Sequence, residues 1–153
     1  MVRILIVEDD EDKRGKIVVL VTKHFAEFEI IEARSFQSGL RAVEEDNPDL
    51  VILDMTMRNF DKSPTEDGGR PHPFAGREIL RQMKRERKMI PTIIITQFEE
   101  FGDDQNKVTL PQLTSELEQR FPNYRGTIEY RHHIDAWQSE LKVRIESIVR
   151  ELI

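Results

Sequence analysis

The chain has 153 residues, 38% hydrophobic and 34% charged, enough for one domain with a proper core and too few for a comfortable second, so a single domain over 1–153 is expected. Its formal net charge of -6 and sequence pI near 5.3 leave no overall positive field to draw in nucleic acid or an anionic membrane. Having no cysteine, it excludes disulfides, thiol nucleophiles and zinc-thiolate sites. The apolar start, Met1 to Val7, is too short for a signal sequence, and no run approaches the roughly 18 apolar residues of a membrane span. A soluble, cytoplasmic protein is expected, with proteins or small anions as partners.

Arg3 to Val7 reads as a short buried strand, followed by an acidic cluster, Glu8 to Asp12, that opens a segment ending near Phe25. Ile17, Val18, Val19, Leu20 and Val21 have strand propensity. The segment's length and the carboxylates at its start, which complement a helix dipole, predict a helix instead. Phe28 to Ala33 alternates as a strand, Phe36 to Glu45 places Phe36, Leu40 and Val43 on one helical face, and Leu50 to Leu53 is a short apolar strand ending at Asp54. Arg58 to Pro73, with Ser63-Pro64 and Asp67-Gly68-Gly69, reads as a loop. A helix is predicted over Ala75 to Lys88 and a strand over Thr92 to Thr96. A second polar loop over Gln97 to Leu110 precedes a helix over Pro111 to Arg120, with proline in its first turn, and a final strand over Gly126 to Arg131. In the last helix Trp137, Leu141, Ile145, Ile148 and Leu152 recur at spacings of four, four, three and four, which makes one apolar stripe.

Five strand-helix pairs result, and strands this short and apolar favour a parallel sheet covered by helices on both faces. Ligands of such sheets bind at the carboxyl ends of the strands. Glu8 and Asp9 follow the first strand and Asp54 ends the third, so this sheet would gather three carboxylates at one edge. Like charges held that close need a cation between them, and a hard divalent ion such as magnesium, which keeps some of its waters and takes phosphate oxygens, is the natural remedy. The same arrangement would let a carboxylate act as a covalent acceptor.

Three blocks, Arg3 to Asp10, Val51 to Met55 and Pro91 to Thr96, taken in this order, resemble the acidic-pair strand, the phosphoacceptor strand and the switch strand of two-component response-regulator receiver domains. Gly76 to Leu80 is similar to the start of that family's third helix. The resemblance implies a flavodoxin-like, doubly wound α/β fold, (βα)5, with five parallel strands in the order 2-1-3-4-5. It implies that Asp54 accepts a phosphoryl group, that Asp9 binds Mg2+ directly with Glu8 acting through water, and that the Thr56 backbone carbonyl completes the protein's ligands. Thr96 would then supply the switch hydroxyl, donating to a phosphoryl oxygen that exists only after transfer. Tyr130 is the aromatic expected to fill the space that a rotating Thr96 vacates. Histidine kinases or phosphotransfer proteins are the implied donors and a downstream protein effector the implied reader, with no direct nucleic-acid or membrane partner. The chain would be a covalent switch rather than a turnover enzyme.

The family's lysine at the end of the fifth strand is missing, and Tyr130-Arg131-His132-His133-Ile134 stands there instead. Arg131, His132 and His133 are the candidates for a substitute cation, although arginine does not reproduce lysine's geometry. Gln97 replaces the small residue common after the switch threonine. The 22 positions from Asp54 to Gly76 and the polar stretch 97–110 are expanded, which predicts a lid or docking surface on the active face. A pseudo-receiver, binding partners without phosphorylation, is the alternative that the missing lysine supports. A flavodoxin-like cofactor or hydrolase domain is disfavoured, since no glycine-rich phosphate loop follows the first strand and no nucleophile elbow is present. The basic run Arg81, Lys84, Arg85, Arg87 and Lys88 reads as a solvated helix face.

Overall fold

The computed structural model describes residues 1–152. In chain order its elements are β1 (Arg3–Val7), α1 (Glu11–His24), β2 (Glu29–Ala33), α2 (Phe36–Glu45), β3 (Leu50–Leu53), β4 (Met57–Arg58), β5 (Pro71–His72), α3 (Ala75–Arg85), β6 (Thr92–Thr96), β7 (Glu100–Phe101), β8 (Val108–Thr109), α4 (Leu110–Arg120), β9 (Tyr124–Glu129) and α5 (Ala136–Leu152). Five parallel strands form one sheet in the order β2-β1-β3-β6-β9. With the two short ribbons β4-β5 and β7-β8 set aside, this is the expected 2-1-3-4-5 order.

The central strands carry no polar face because both sides of the sheet are covered. On β1, Leu5 and Val7 pack into a core with α2, α3 and α4, while Ile4 and Ile6 pack into a second core with α1 and α5. The valine-rich segment of α1 resolves as a helix: Ile17, Leu20 and Val21 are buried while Val19 is exposed, the spacing of a helical face rather than a strand's alternation. Asp10 caps this helix, its carboxylate accepting from the Asp12 backbone N–H at 3.3 Å, so one member of the acidic cluster serves the fold. In α5, Trp137, Leu141, Ile145 and Ile148 form the buried stripe that their spacing predicts, whereas Leu152, expected to continue it, is exposed at the end of the helix.

Three boundaries differ from the sequence reading. The stretches 58–73 and 97–110 are not wholly irregular, since each closes on itself through a two-residue antiparallel ribbon. The last sheet strand starts and ends two residues earlier than Gly126 to Arg131, because its register against β6 shifts between Thr92 and Ile94 and Gly126 takes φ +103° there. A Cβ at Gly126 would collide with the Arg144 guanidinium, and that contact adds to the demand for glycine. Finally, α3 stops at Arg85 rather than Lys88, with Arg87 in the left-handed region at φ 58°. Among the described residues no helix is long and apolar enough to cross a membrane.

Candidate phosphoacceptor site

Val7 pairs with Leu53 across β1 and β3, so the residues that follow them emerge side by side at the carboxyl edge of the sheet. The Asp54 N–H donates to the Val7 carbonyl at 3.1 Å and continues the ladder one step past the strand. Glu8, Asp9 and Asp54 each bring one carboxylate oxygen to within 4.8 Å of the others. Glu8 and Asp54 are both 1% exposed and Asp9 is half-buried. Every donor in this set is a hard oxygen, which is what magnesium takes, and the three carboxylates fit such an ion.

A cation already reaches the cluster from α1. Lys13 is wholly buried, with Nζ 2.6 Å from Glu8 Oε1 and 3.3 Å from Asp54 Oδ2. It also donates to the Ile95 carbonyl at 2.8 Å and to Gln97 Oε1 at 3.0 Å. Glu8 Oε1 has no hydrogen bond of good angle, so its short approach to Lys13 is an ion pair first. The other Glu8 oxygen accepts from the Asp10 N–H at 3.2 Å. Burial, reinforced by the charge of Asp54 and opposed by Lys13, pushes the Glu8 carboxyl up to about 8. Burial raises Asp54 as well, against the pull of Lys13 and of the Met55 N–H that donates to Asp54 Oδ1 at 2.7 Å. For Lys13, burial works downward, but the charges of Asp54 and Glu8 outweigh it and the ammonium stays protonated. Two buried carboxylates facing one ammonium leave a surplus negative charge, which a proton or a bound cation neutralises.

The other expected residues fall at different distances from this centre. Thr96 is fully buried at the end of β6, and its hydroxyl accepts from the Phe98 N–H at 3.2 Å. The Thr56 hydroxyl donates to the Pro73 carbonyl at 2.9 Å, tying the turn after Asp54 to the approach to α3. Tyr130 lies just past β9, its N–H donating to the Thr96 carbonyl at 2.8 Å. Its buried ring packs on Trp137 at 5.1 Å between centroids and lies 5.6 Å from the Lys13 ammonium. Arg131, His132 and His133 are not gathered to the carboxylates. All three are exposed; Arg131 pairs with Glu129 at 3.0 Å and His132 Nδ1 approaches Asp12 at 3.5 Å. The turn after Tyr130 points these side chains outward.

Lys13 is the residue that reading the sequence missed. It stands in the run Glu11, Asp12, Lys13, Arg14, which looks like a solvated helix start. The signal was its position four residues before Ile17, on the buried face of α1.

Above the carboxylates the stretch after β4 forms one wall of a cleft of about 770 Å³, lined by Asp9, Asp10, Glu11, Arg14, Arg34, Arg58, Lys62, Ser63, Pro64 and Gln97. Arg58 closes over Asp9: its backbone N–H donates to Asp9 Oδ2 at 2.9 Å and its guanidinium to the Asp9 carbonyl at 3.4 Å. Lys84 of α3 and Lys88 just past its end, both in the basic run, donate to the carbonyls of Arg120 and Glu44.

A five-stranded doubly wound sheet with buried carboxylates at its carboxyl edge defines a receiver-type α/β signalling module. Residues 4–110 match the family model described as "Response regulator receiver domain", and the chain belongs to that family. It is 34% identical over 142 residues to "Uncharacterized protein y4jR" of Sinorhizobium fredii, covering 90% of this chain and 93% of that one. It is 28% identical over 149 residues to "Detocs response regulatory protein DtcB" of Enterobacter cloacae, covering 95% and 99%. Among solved structures, the response regulator receiver domain protein from Clostridium thermocellum superposes with TM-score 0.63 at 20% identity, covering 99% and 96% of the two chains. The N-terminal domain of an uncharacterized protein from Wolinella succinogenes gives TM-score 0.65 at 21% identity, over 98% and 95%. Identities this low speak for the fold alone.

Proposed function

We propose that the chain is the phosphoacceptor of a two-component phosphorelay, taking a phosphoryl group from a histidine kinase or phosphotransfer protein onto Asp54 and changing its contacts with a downstream protein. The observation that carries this reading is the convergence of Glu8, Asp9 and Asp54 at the carboxyl edge of the sheet. In the transfer a carboxylate oxygen of Asp54 attacks phosphorus, a P–O bond forms, and the P–N bond to the donor imidazole breaks. The imidazole leaves with the electron pair and regains its proton from its surroundings. Asp9, Asp54 and the Thr56 carbonyl would hold Mg2+, with Glu8 acting through water; the ion, when bound, offsets negative charge on the phosphoryl oxygens. The Thr96 hydroxyl turns from the Phe98 N–H to a phosphoryl oxygen, and Tyr130 answers that movement from the end of β9. The similarity to a protein named as a response regulatory protein supports the same reading. The closed stretch 58–73, whose Arg58 lies over Asp9, acts as a lid or docking surface on the active face.

Intact mass after incubation with Mg2+ and acetyl phosphate tests the proposal. One added phosphoryl group in the wild type and none in Asp54→Asn is the expected result. No gain in the wild type, with Mg2+ also failing to bind, would instead support the phosphorylation-independent scaffold.

A further inference from the structure

We infer that Lys13 is the cation that pairs with the incoming phosphoryl group, so the role of the absent fifth-strand lysine has passed to the first turn of α1. This deepens the phosphoacceptor reading and rests on it. Four observations converge. Lys13 Nζ touches the reacting carboxylate itself, at 3.3 Å from Asp54 Oδ2. No exposed residue after β9 does so, for Arg131 is engaged by Glu129 and both histidines face solvent. The position just past β9 is filled by the Tyr130 ring, over which the ammonium lies at 5.6 Å, so the charge enters the same space from the opposite wall. Finally, the ammonium has three N–H donors, and four oxygens surround it: Glu8 Oε1, the Ile95 carbonyl, Gln97 Oε1 and Asp54 Oδ2.

That imbalance makes Lys13 suited to a transfer. Only the Ile95 carbonyl and Gln97 accept from it with hydrogen-bond geometry, Glu8 and Asp54 being held as ion pairs, and the contact to Asp54 is the longest of the four, so it is the one free to be exchanged. When the Asp54 oxygen bonds to phosphorus, its single charge gives way to the greater charge of a phosphoryl group. The Lys13 ammonium then turns from the carboxylate oxygen to a phosphoryl oxygen, held meanwhile by the Ile95 carbonyl and Gln97. Gln97, which departs from the small residue usual after the switch threonine, thereby has a role in orienting Lys13. A charge-assisted hydrogen bond of this kind, formed in a dry site, strengthens as charge develops and speeds the transfer.

The test follows phosphoryl uptake by intact mass, with Mg2+ and acetyl phosphate, in the wild type, in Lys13→Met and in the triple variant Arg131→Ala/His132→Ala/His133→Ala. Thermal melting checks that each is folded. Loss of one such donor slows labelling on the order of a hundredfold in Lys13→Met, while the triple variant labels at the wild-type rate. In parallel, the side-chain ammonium resonance of Lys13 in nitrogen-15-labelled wild type moves when the phosphoryl group arrives. A folded Lys13→Met that labels at the wild-type rate, a triple variant that loses labelling, or an ammonium resonance that stays put would overturn the role of Lys13 and leave the phosphoacceptor reading standing. A wild type that takes up nothing would overturn both. Should Lys13→Met fail to fold, the triple variant and the resonance still decide.

Discussion

At the start of α3 the chain passes so close to β3 that a Cβ on Gly76 would lie 2.6 Å from the Asp54 carbonyl oxygen and 3.1 Å from the Met55 Cα. Both neighbours are backbone, so nothing flexible can give way. Gly76→Ala should therefore cost about 1–3 kcal/mol through forced displacement of the Asp54 turn, read from urea unfolding, and should slow phosphoryl uptake as well. Unchanged stability would mean that α3 slides without disturbing the turn. Glycine at this position was legible as a helix start, but its closeness to Asp54 depends on how α3 packs and could not be read locally. The same holds for the site as a whole. Glu8, Asp9 and Asp54 were legible because they stand within two residues of a strand end, and strand ends converge in a doubly wound sheet. Lys13 was not, because its charge placed it with its solvated neighbours whereas its side chain follows the apolar face of α1 into the protein.

At the scale of elements, Glu116 ties α4 to α3, accepting from Arg77 at 2.9 Å and Arg120 at 2.6 Å. Burial pushes its carboxyl upward, but the hydrogen bonds and charges of Arg120 and Arg77 outweigh that and hold it below its ordinary value of 4.5. A carboxyl that is more acidic in the folded state contributes stability above its unfolded value and loses that contribution as pH falls through the folded one. The stability difference between wild type and Glu116→Gln should hence be flat near neutrality, no more than about 1 kcal/mol for so accessible a pair, and shrink below pH 4.5. A difference that persists unchanged into acid would assign it to packing instead. The elements most legible in the sequence were those with long apolar periodicity, α5 above all. Those least legible were the β4-β5 and β7-β8 ribbons, two residues per strand, whose pairing comes from chain closure rather than from any alternation that such short strands could display. The displaced start of β9 has a similar cause, since the bulge at Gly126 belongs to its register against β6.

For the molecule as a whole, the sheet divides the interior into two cores, and α1 and α5 together close the one that lies beneath Lys13, Tyr130 and Trp137. Leu141 is fully buried at the centre of that face. Leu141→Ala should cost about 2–5 kcal/mol, seen as a lower urea midpoint with an unchanged slope; a loss near zero would show that α5 repacks freely. This core is where a rearrangement at Thr96 and Tyr130 would reach the surface, through the packing of Trp137 at the start of α5.

The central claim concerns one atom pair, an Asp54 oxygen and phosphorus, and the most direct measurement locates that bond. After incubation with Mg2+ and acetyl phosphate, borohydride reduces an aspartyl phosphate to homoserine with loss of phosphate, and peptide mass mapping then reports which aspartate was modified. Homoserine at position 54 alone is the predicted result. Reduction at Glu8 or Asp9, or no reduced residue in wild-type protein that binds Mg2+, would contradict it.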